Sequence, residues 1–216
     1  MNLARLLSHV WPVRVWKGAG ANGDLELTWE YGRLVVNSAN ANQSFGSLHR
    51  VWRQAFRDAR IQESAPSTAL VLGYGAGSVA HILRNELGLD TGITGVDHDA
   101  TMLQLARERF PLERMEGIEL VRSDAFTFAV GAHGPYDLVV VDLFQDLDFA
   151  QGVGEADFLR AIRRLVSPSG RILLNTVAHD EKSALRSARL GAELRLIFTE
   201  VKEQHYDVSN RVFIAV

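Results

Sequence analysis

From residue 68 onward the chain alternates between short apolar runs and segments whose apolar residues recur every three or four positions. The apolar runs are TALVLGY (68–74), GITGVD (92–97), GIELVRSD (117–124), YDLVVVDLF (136–144) and GRILLNTV (170–177), and each predicts a strand. The intervening segments predict helices over Ser78–Leu87, Ala100–Arg109, Glu155–Leu165 and Glu181–Leu190, with a short turn near Ala125–Val130. Runs such as LVVVD (138–142) carry no polar alternation, which suits strands buried on both faces of a parallel sheet. Strands alternating with helices argue for right-handed βαβ units. After the last predicted helix come AELRLIFTEV and NRVFIAV, separated only by KEQHYDVS. That linker is too short for a helical crossover, so the pair is predicted to be antiparallel. The expected fold is α/β, a seven-stranded sheet of five parallel strands and a C-terminal antiparallel pair.

The first 65 residues follow another pattern. LELTWE and RLVVNS alternate in polarity around a YG turn and predict a β-hairpin. A polar stretch, ANANQSFG, leads into a predicted helix from Ser47 to about Ala59. The composition turns linker-like at QESAPST. We therefore expect a hairpin-and-helix appendage over residues 1–65 and an α/β domain over 66–216. The appendage is too small to fold alone, so it should pack on the main domain or on a second subunit.

Composition narrows the classes. A chain of 216 residues with 47% apolar and 23% charged residues suits one soluble α/β domain with a small appendage. A net charge of −3 supplies no basic face for nucleic acid. Only three of the 23 basic residues are lysine, Lys17, Lys182 and Lys202, which we read as genome composition. The absence of cysteine excludes disulfides and thiolate metal sites and fits a cytoplasmic protein. No apolar run approaches the roughly 18 residues of a membrane span, and the N-terminus lacks the order of a signal peptide. The seven histidines show no ligand spacing such as H-x-x-x-H, so no metal is expected. No G-x-S-x-G elbow is present, which argues against an α/β hydrolase.

Candidate chemistry begins at VLGYGAG, where Gly73, Gly75 and Gly77 link a strand to a helix. Such a turn lets backbone approach a ligand and aims helix N–H groups at it. Dinucleotide sites favour G-x-G-x-x-G, whereas this G-x-G-x-G suits an S-adenosylmethionine-type nucleoside. A tight turn with no ligand is the alternative. The next strand ends in Asp97, placed to hold both ribose hydroxyls or merely to start a loop. Asp99 is the better helix cap. The third strand ends VRSDAF, where Asp124 could accept the adenine amine and Ala125 offer a backbone N–H, or Asp124 could only cap. The fourth ends in Asp142, with Asp146 and Asp148 close behind. These acids would attract a cation, and one could accept a proton from an attacking amine. A solvated acidic loop is the other reading. The tryptophans 11, 16, 29 and 52 read as core or dimer contacts, or as a substrate lid.

From about Leu25 to Val216 the motifs VLGYGAG, VDHD, SDAF and YDLVVVD stand in an order that resembles the spermidine synthase (polyamine aminopropyltransferase) family. That family shares the Rossmann-like fold of class I methyltransferases. The resemblance implies ribose binding by Asp97, adenine binding by Asp124 and Ala125, and deprotonation of the attacking amine by Asp142. It implies a small-molecule polyamine acceptor, decarboxylated S-adenosylmethionine as donor, and a homodimer. Gln43, His49, Asp146 and Tyr206 are weaker substrate-side candidates, with Tyr206 more a packing residue; Glu30 could also face the pocket. The chain departs from the family pattern at three places. Ala76 replaces the aspartate of the glycine loop, DLFQD replaces D-S-x-D-P, and SFGSLHR lacks the acids of D-E-x-x-Y-H/Q-E. An aspartate at 76 would repel the carboxylate of ordinary S-adenosylmethionine, and alanine removes that discrimination. Three functions follow. Aminopropyl transfer to a polyamine is the first, methyl transfer from S-adenosylmethionine to an unknown acceptor the second, and a non-catalytic nucleoside-binding or dimeric interaction protein the third.

Overall fold

The computed structural model describes residues 3–38, 42–112, 116–145 and 148–216. In chain order the N-terminal elements are α1 (Leu3–Leu7), β1 (Val13–Gly20), β2 (Gly23–Glu30), β3 (Arg33–Asn37), β4 (Asn42–Ser44), α2 (Ser47–Asp58) and α3 (Ile61–Ser64). The α/β portion contains β5 (Thr68–Leu72), α4 (Ser78–His81), a π-helical turn (Ile82–Glu86), β6 (Gly92–Asp97), α5 (Ala100–Arg109), β7 (Ile118–Arg122), α6 (Ala125–Gly131) and β8 (Tyr136–Val141). A minor pair follows, β9 (Phe144–Gln145) and β10 (Asp148–Phe149), and then α7 (Ala156–Leu165), β11 (Val166–Val177), α8 (Glu181–Ile197), β12 (Val201–Tyr206) and β13 (Asn210–Ala215).

The large sheet has seven strands in the order β12-β13-β11-β8-β5-β6-β7. Strands β11, β8, β5, β6 and β7 are parallel, and β13 runs antiparallel to both β11 and β12. Alternate residues of the central strands feed two cores, as the pleat requires. Leu70, Leu72, Val139, Val141, Ile172 and Leu174 face α7 and α8 on one side. Ala69, Val71, Leu138, Val140 and Leu173 face α2, α4 and α5 on the other. Leu138 to Val141 are all fully buried, which explains the unbroken apolar run.

Two expectations need correction. The N-terminal hairpin is part of a four-stranded antiparallel sheet, β1-β2-β3-β4. In β1 (VRVWKGAG) Trp16 and Lys17 are followed by three small residues, Gly18, Ala19 and Gly20, which blurs the strand pattern, and the three-residue β4 (NQS) is too short and polar to read as a strand. The segment AELRLIFTEV is mostly helix: α8 runs on to Ile197, and the strand is Val201–Tyr206. Leu190 and Leu194 are buried four residues apart. That helical spacing wins over the local LIF run.

The appendage packs on the main domain. Helix α2 buries Val51, Trp52, Ala55 and Phe56 on one face, an amphipathic pattern. These side chains enter the same core as Val71, Tyr74 and Leu83. One end of α2 is also tied down where the Tyr206 hydroxyl donates to Asp58 Oδ2 at 2.6 Å.

Candidate active site

The chain crosses from β5 to β6 and β7 on one side and returns to β8 on the other, so the sheet order reverses between β5 and β8. Open α/β sheets bind ligands beyond the carboxyl ends of their strands at such a reversal. Here a cavity of about 700 Å³ lies in that place. Its walls come from the strand ends and from the N-terminal segment around Asn42–Leu48.

The glycine turn forms one part of the wall. Gly73, Gly75 and Gly77 have φ of +84°, +58° and +97°, a region that L side chains rarely adopt. A side chain at Gly73 would collide with the main-chain carbonyl of Asp142, and one at Gly75 would sit 2.9 Å from Ser44 Oγ. Gly73 and Gly75 line the cavity. Gly77 instead caps α4 and is not among the lining residues. The Ala76 N–H donates to Ser44 Oγ at 3.0 Å, and the Phe45 N–H donates to Ser78 Oγ at 2.8 Å. β4 and the glycine turn are thereby stitched together.

Three carboxylates stand beside this turn. Asp97 ends β6, and its two oxygens accept from the Gly75 N–H and the Asp99 N–H, both at 2.9 Å. Burial pushes its carboxyl above the usual range, opposed by those two bonds. Asp99 caps α5 through the N–H groups of Thr101 and Met102 and also accepts from the Ala21 N–H at 2.8 Å. Asp124 caps α6 through the Thr127 N–H and lines the cavity next to Ala125. Capping and cavity lining therefore coexist in Asp99 and Asp124. A carboxylate oxygen has two lone pairs, so one main-chain bond leaves capacity for a ligand.

A further part of the wall is built around Asp142, just beyond β8 and against Gly73. Trp52 Nε1–H donates to its Oδ2 at 2.8 Å, and Asn175 Nδ2 donates to its Oδ1 at 3.0 Å. Asn175 Oδ1 in turn accepts from Asn210 Nδ2 at 3.3 Å. Trp52 is fully buried and Asn175 nearly so. Burial pushes the Asp142 carboxyl up to about 6, against the lowering effect of the Asn175 and Trp52 bonds. A carboxylate with that affinity for protons is a competent base near neutral pH.

Comparison with known proteins places this architecture. A methyltransferase-domain family matches residues 69–170. A probable polyamine aminopropyl transferase of Bifidobacterium longum is 28% identical over 109 residues, which cover 50% of this chain and 24% of that protein. A 2-phytyl-1,4-naphtoquinone methyltransferase of Thermosynechococcus vestitus is 29% identical over 155 residues, 70% of this chain and 63% of that protein. The chain thus spans less than two thirds of either relative. In structure, a probable spermidine synthase from Corynebacterium glutamicum superposes with a TM-score of 0.77 at 20% identity, over 93% of this chain and 79% of that one. In fold the chain is similar to that probable spermidine synthase, and residues 69–170 match a methyltransferase domain.

Within this spermidine synthase-like fold, Gly73, Gly75, Asp97, Asp124, Ala125, Asp142 and Gln43 all line one cavity. Gln43 donates to Ser38 Oγ at 3.1 Å. His49 and Tyr206, expected on the substrate side, are not lining residues. His49 turns to Glu86, and Tyr206 is a buried residue bonded to Asp58. Burial, reinforced by that Asp58 carboxylate, pushes the Tyr206 hydroxyl above the usual phenol range. Glu30 accepts from Asn37, and Asp148 pairs with Arg186 at 3.1 Å; neither lines the cavity. Asp146 lies outside the described residues. Sequence reasoning missed Asn175 and Ser44, and read Trp52 as a core or dimer contact or a lid, not as a donor to Asp142. Asn175 left one sign, an amide inside the apolar run RILLNTV. Trp52 left none, because its ring reads as core and only its N–H reaches the site.

Proposed function

We propose that this protein transfers an alkyl group from an adenosyl sulfonium to an amine, with aminopropyl transfer to a polyamine as the first reading. The observation that carries it is the charge of the cavity. Its described lining residues include five carboxylates (Asp24, Asp97, Asp99, Asp124 and Asp142) and no lysine or arginine. A cavity lined this way favours cationic ligands and gives a ligand carboxylate no cationic partner. Decarboxylated S-adenosylmethionine, whose charges are all positive, fits that balance.

In this reading Asp97 accepts the ribose hydroxyls on its remaining lone pairs. Asp124 accepts the adenine amine while Ala125 offers its backbone N–H. When bound, the sulfonium supplies an activated carbon: the amine lone pair forms the new N–C bond, and the C–S electrons leave with sulfur. Asp142, ionised above about pH 6, holds the amine and takes the proton released on nitrogen. Trp52 and Asn175 keep its two oxygens in place.

Methyl transfer from S-adenosylmethionine is the second reading, and Ala76 favours it. This buried residue brings no carboxylate of its own to the glycine turn, which removes one source of repulsion toward an amino-acid carboxylate. Titration calorimetry with S-adenosylmethionine, its decarboxylated form and methylthioadenosine separates the two. Tighter binding of the decarboxylated form, followed by turnover with putrescine, is expected. Preference for S-adenosylmethionine transfers the assignment to methyl transfer. No binding of any of the three at micromolar concentrations overturns both.

A further inference from the structure

Outside the cavity, α2 and the α4–π segment meet at a cluster that the proposed reaction leaves unused. His49 Nε2 lies 2.8 Å from Glu86 Oε1, and His81 Nδ1 lies 3.4 Å from the same oxygen. The three ligand-type atoms all lie within 4.8 Å of one another. The His49 side chain is only 3% exposed, while His81 is 33% exposed. His81 Nδ1 is buried without a hydrogen-bond partner.

No spacing in the sequence hints at this cluster, because the backbone makes it. His81 and Glu86 are five residues apart, and on a regular α-helix they would point about 140° away from each other. The π turn, closed by the Leu87 N–H on the Ile82 carbonyl at 2.9 Å, widens the helix and brings both onto one side. Phe45 stacks on His49 at 5.2 Å and meets His81 edge-on at 5.5 Å, which orients both rings.

We propose that His49 Nε2, His81 Nδ1 and Glu86 Oε1 form a binding site for a divalent transition-metal ion of the zinc class, pinning α2 to the helix that follows the glycine turn. Two imidazoles and a carboxylate are a zinc-type donor set at about 2.0–2.2 Å, and ligands at that range around a tetrahedral ion stand roughly 3.3 Å apart. The 2.8 and 3.4 Å separations are already close to that.

Arg53 grips Glu86 through Nε to Oε2 at 2.5 Å and through Nη2 to Oε1 at 2.6 Å. Arg53 thus fixes the ligand oxygen as outer-shell partners do. Its positive charge also opposes that of the ion. It stabilises the metal-free cluster and limits metal affinity, which makes it the most informative residue to change. This site is independent of the transferase reading.

The test is Co²⁺ titration of the full-length, chelator-treated protein, followed by visible absorption, with Zn²⁺ as competitor. One equivalent of Co²⁺ with the intense bands of four-coordinate cobalt, displaced by Zn²⁺, is expected. His81→Ala should lose at least about tenfold in affinity. Arg53→Gln should gain several-fold, the opposite of what loss of a purely structural ion pair would produce. His205→Ala, at a surface histidine paired with Glu203, should change nothing. Circular dichroism checks that each variant is folded, and His81→Gln replaces His81→Ala if that variant is not. Weak non-stoichiometric binding, unchanged affinity on replacing His81, or no gain with Arg53→Gln overturns the proposal.

Discussion

Along the cavity wall, Asp97, Asp99 and Asp124 accept hydrogen bonds from main-chain N–H groups. Asp142 accepts instead from two side chains, Trp52 and Asn175, which lie 90 and 33 residues away in sequence. The first arrangement is mostly local: each carboxylate accepts from the loop or helix start that follows it, and only the Gly75 and Ala21 N–H groups reach Asp97 and Asp99 from farther away in the chain. The second depends on α2, β8 and β11 arriving together. In the proposed reading the first set holds the nucleoside and Asp142 sets reactivity, its carboxylate held by side chains from two separate elements.

Removing the Asp142 carboxylate, the proposed base, tests the comparison most severely. Asp142→Asn should lower turnover by about 10²–10³-fold, within the range for general-base loss, while calorimetry finds nucleoside affinity nearly unchanged. An equal loss of both would merge the two sets into one functional unit. In the wild type, turnover should fall as pH drops through about 6, where Asp142 protonates. Stability responds with the opposite sign. The folded-state affinity of Asp142 for protons exceeds its unfolded one, so this contribution is present at low pH and is lost as pH rises from about 4 through about 6.

The next effect joins the two sets. Gly73→Ala puts a side chain at φ +84° against the Asp142 carbonyl. Urea unfolding should show a loss of roughly 2–3 kcal/mol, and both nucleoside binding and turnover should suffer. Wild-type stability in this variant would show that the turn relaxes freely and is not anchored to Asp142.

The smallest effect is the most selective. Trp52→Phe removes one donor to Asp142 and should cost about 1 kcal/mol of stability. Without that N–H the carboxylate form is less favoured. The acidic limb of the pH–rate profile should rise from about 6 by up to roughly one pH unit, with nucleoside affinity unmoved. An unshifted profile would reduce Trp52 to a packing residue.

The contrast between the two sets is also the contrast between what was and was not legible in the chain. Strand–turn–helix units are contiguous, and their hydrophobic period, their glycines and their capping acids are all set by neighbours within a few residues. The parallel sheet, the glycine corner, and Asp97, Asp124 and Asp142 at strand ends could therefore be read from residues 68–177. Local reading failed where a long-range choice decided the outcome. Leu194, buried against the sheet, extends α8 through a run that looks like a strand. The short polar β4 forms because β3 is there to pair with it.

The amino-acid sequence by itself determined the α/β class, the alternation of strands and helices over residues 68–177 and the carboxylates available, since periodicity, turn geometry and charge are properties of adjacent residues. Only the tertiary structure decided which donors those carboxylates meet. It brought the Trp52 indole to Asp142, Ser44 to the glycine turn, and His49 to Glu86 across a π turn. A contact between residues far apart in the chain depends on where the packed layers put them, and packing has no local signature.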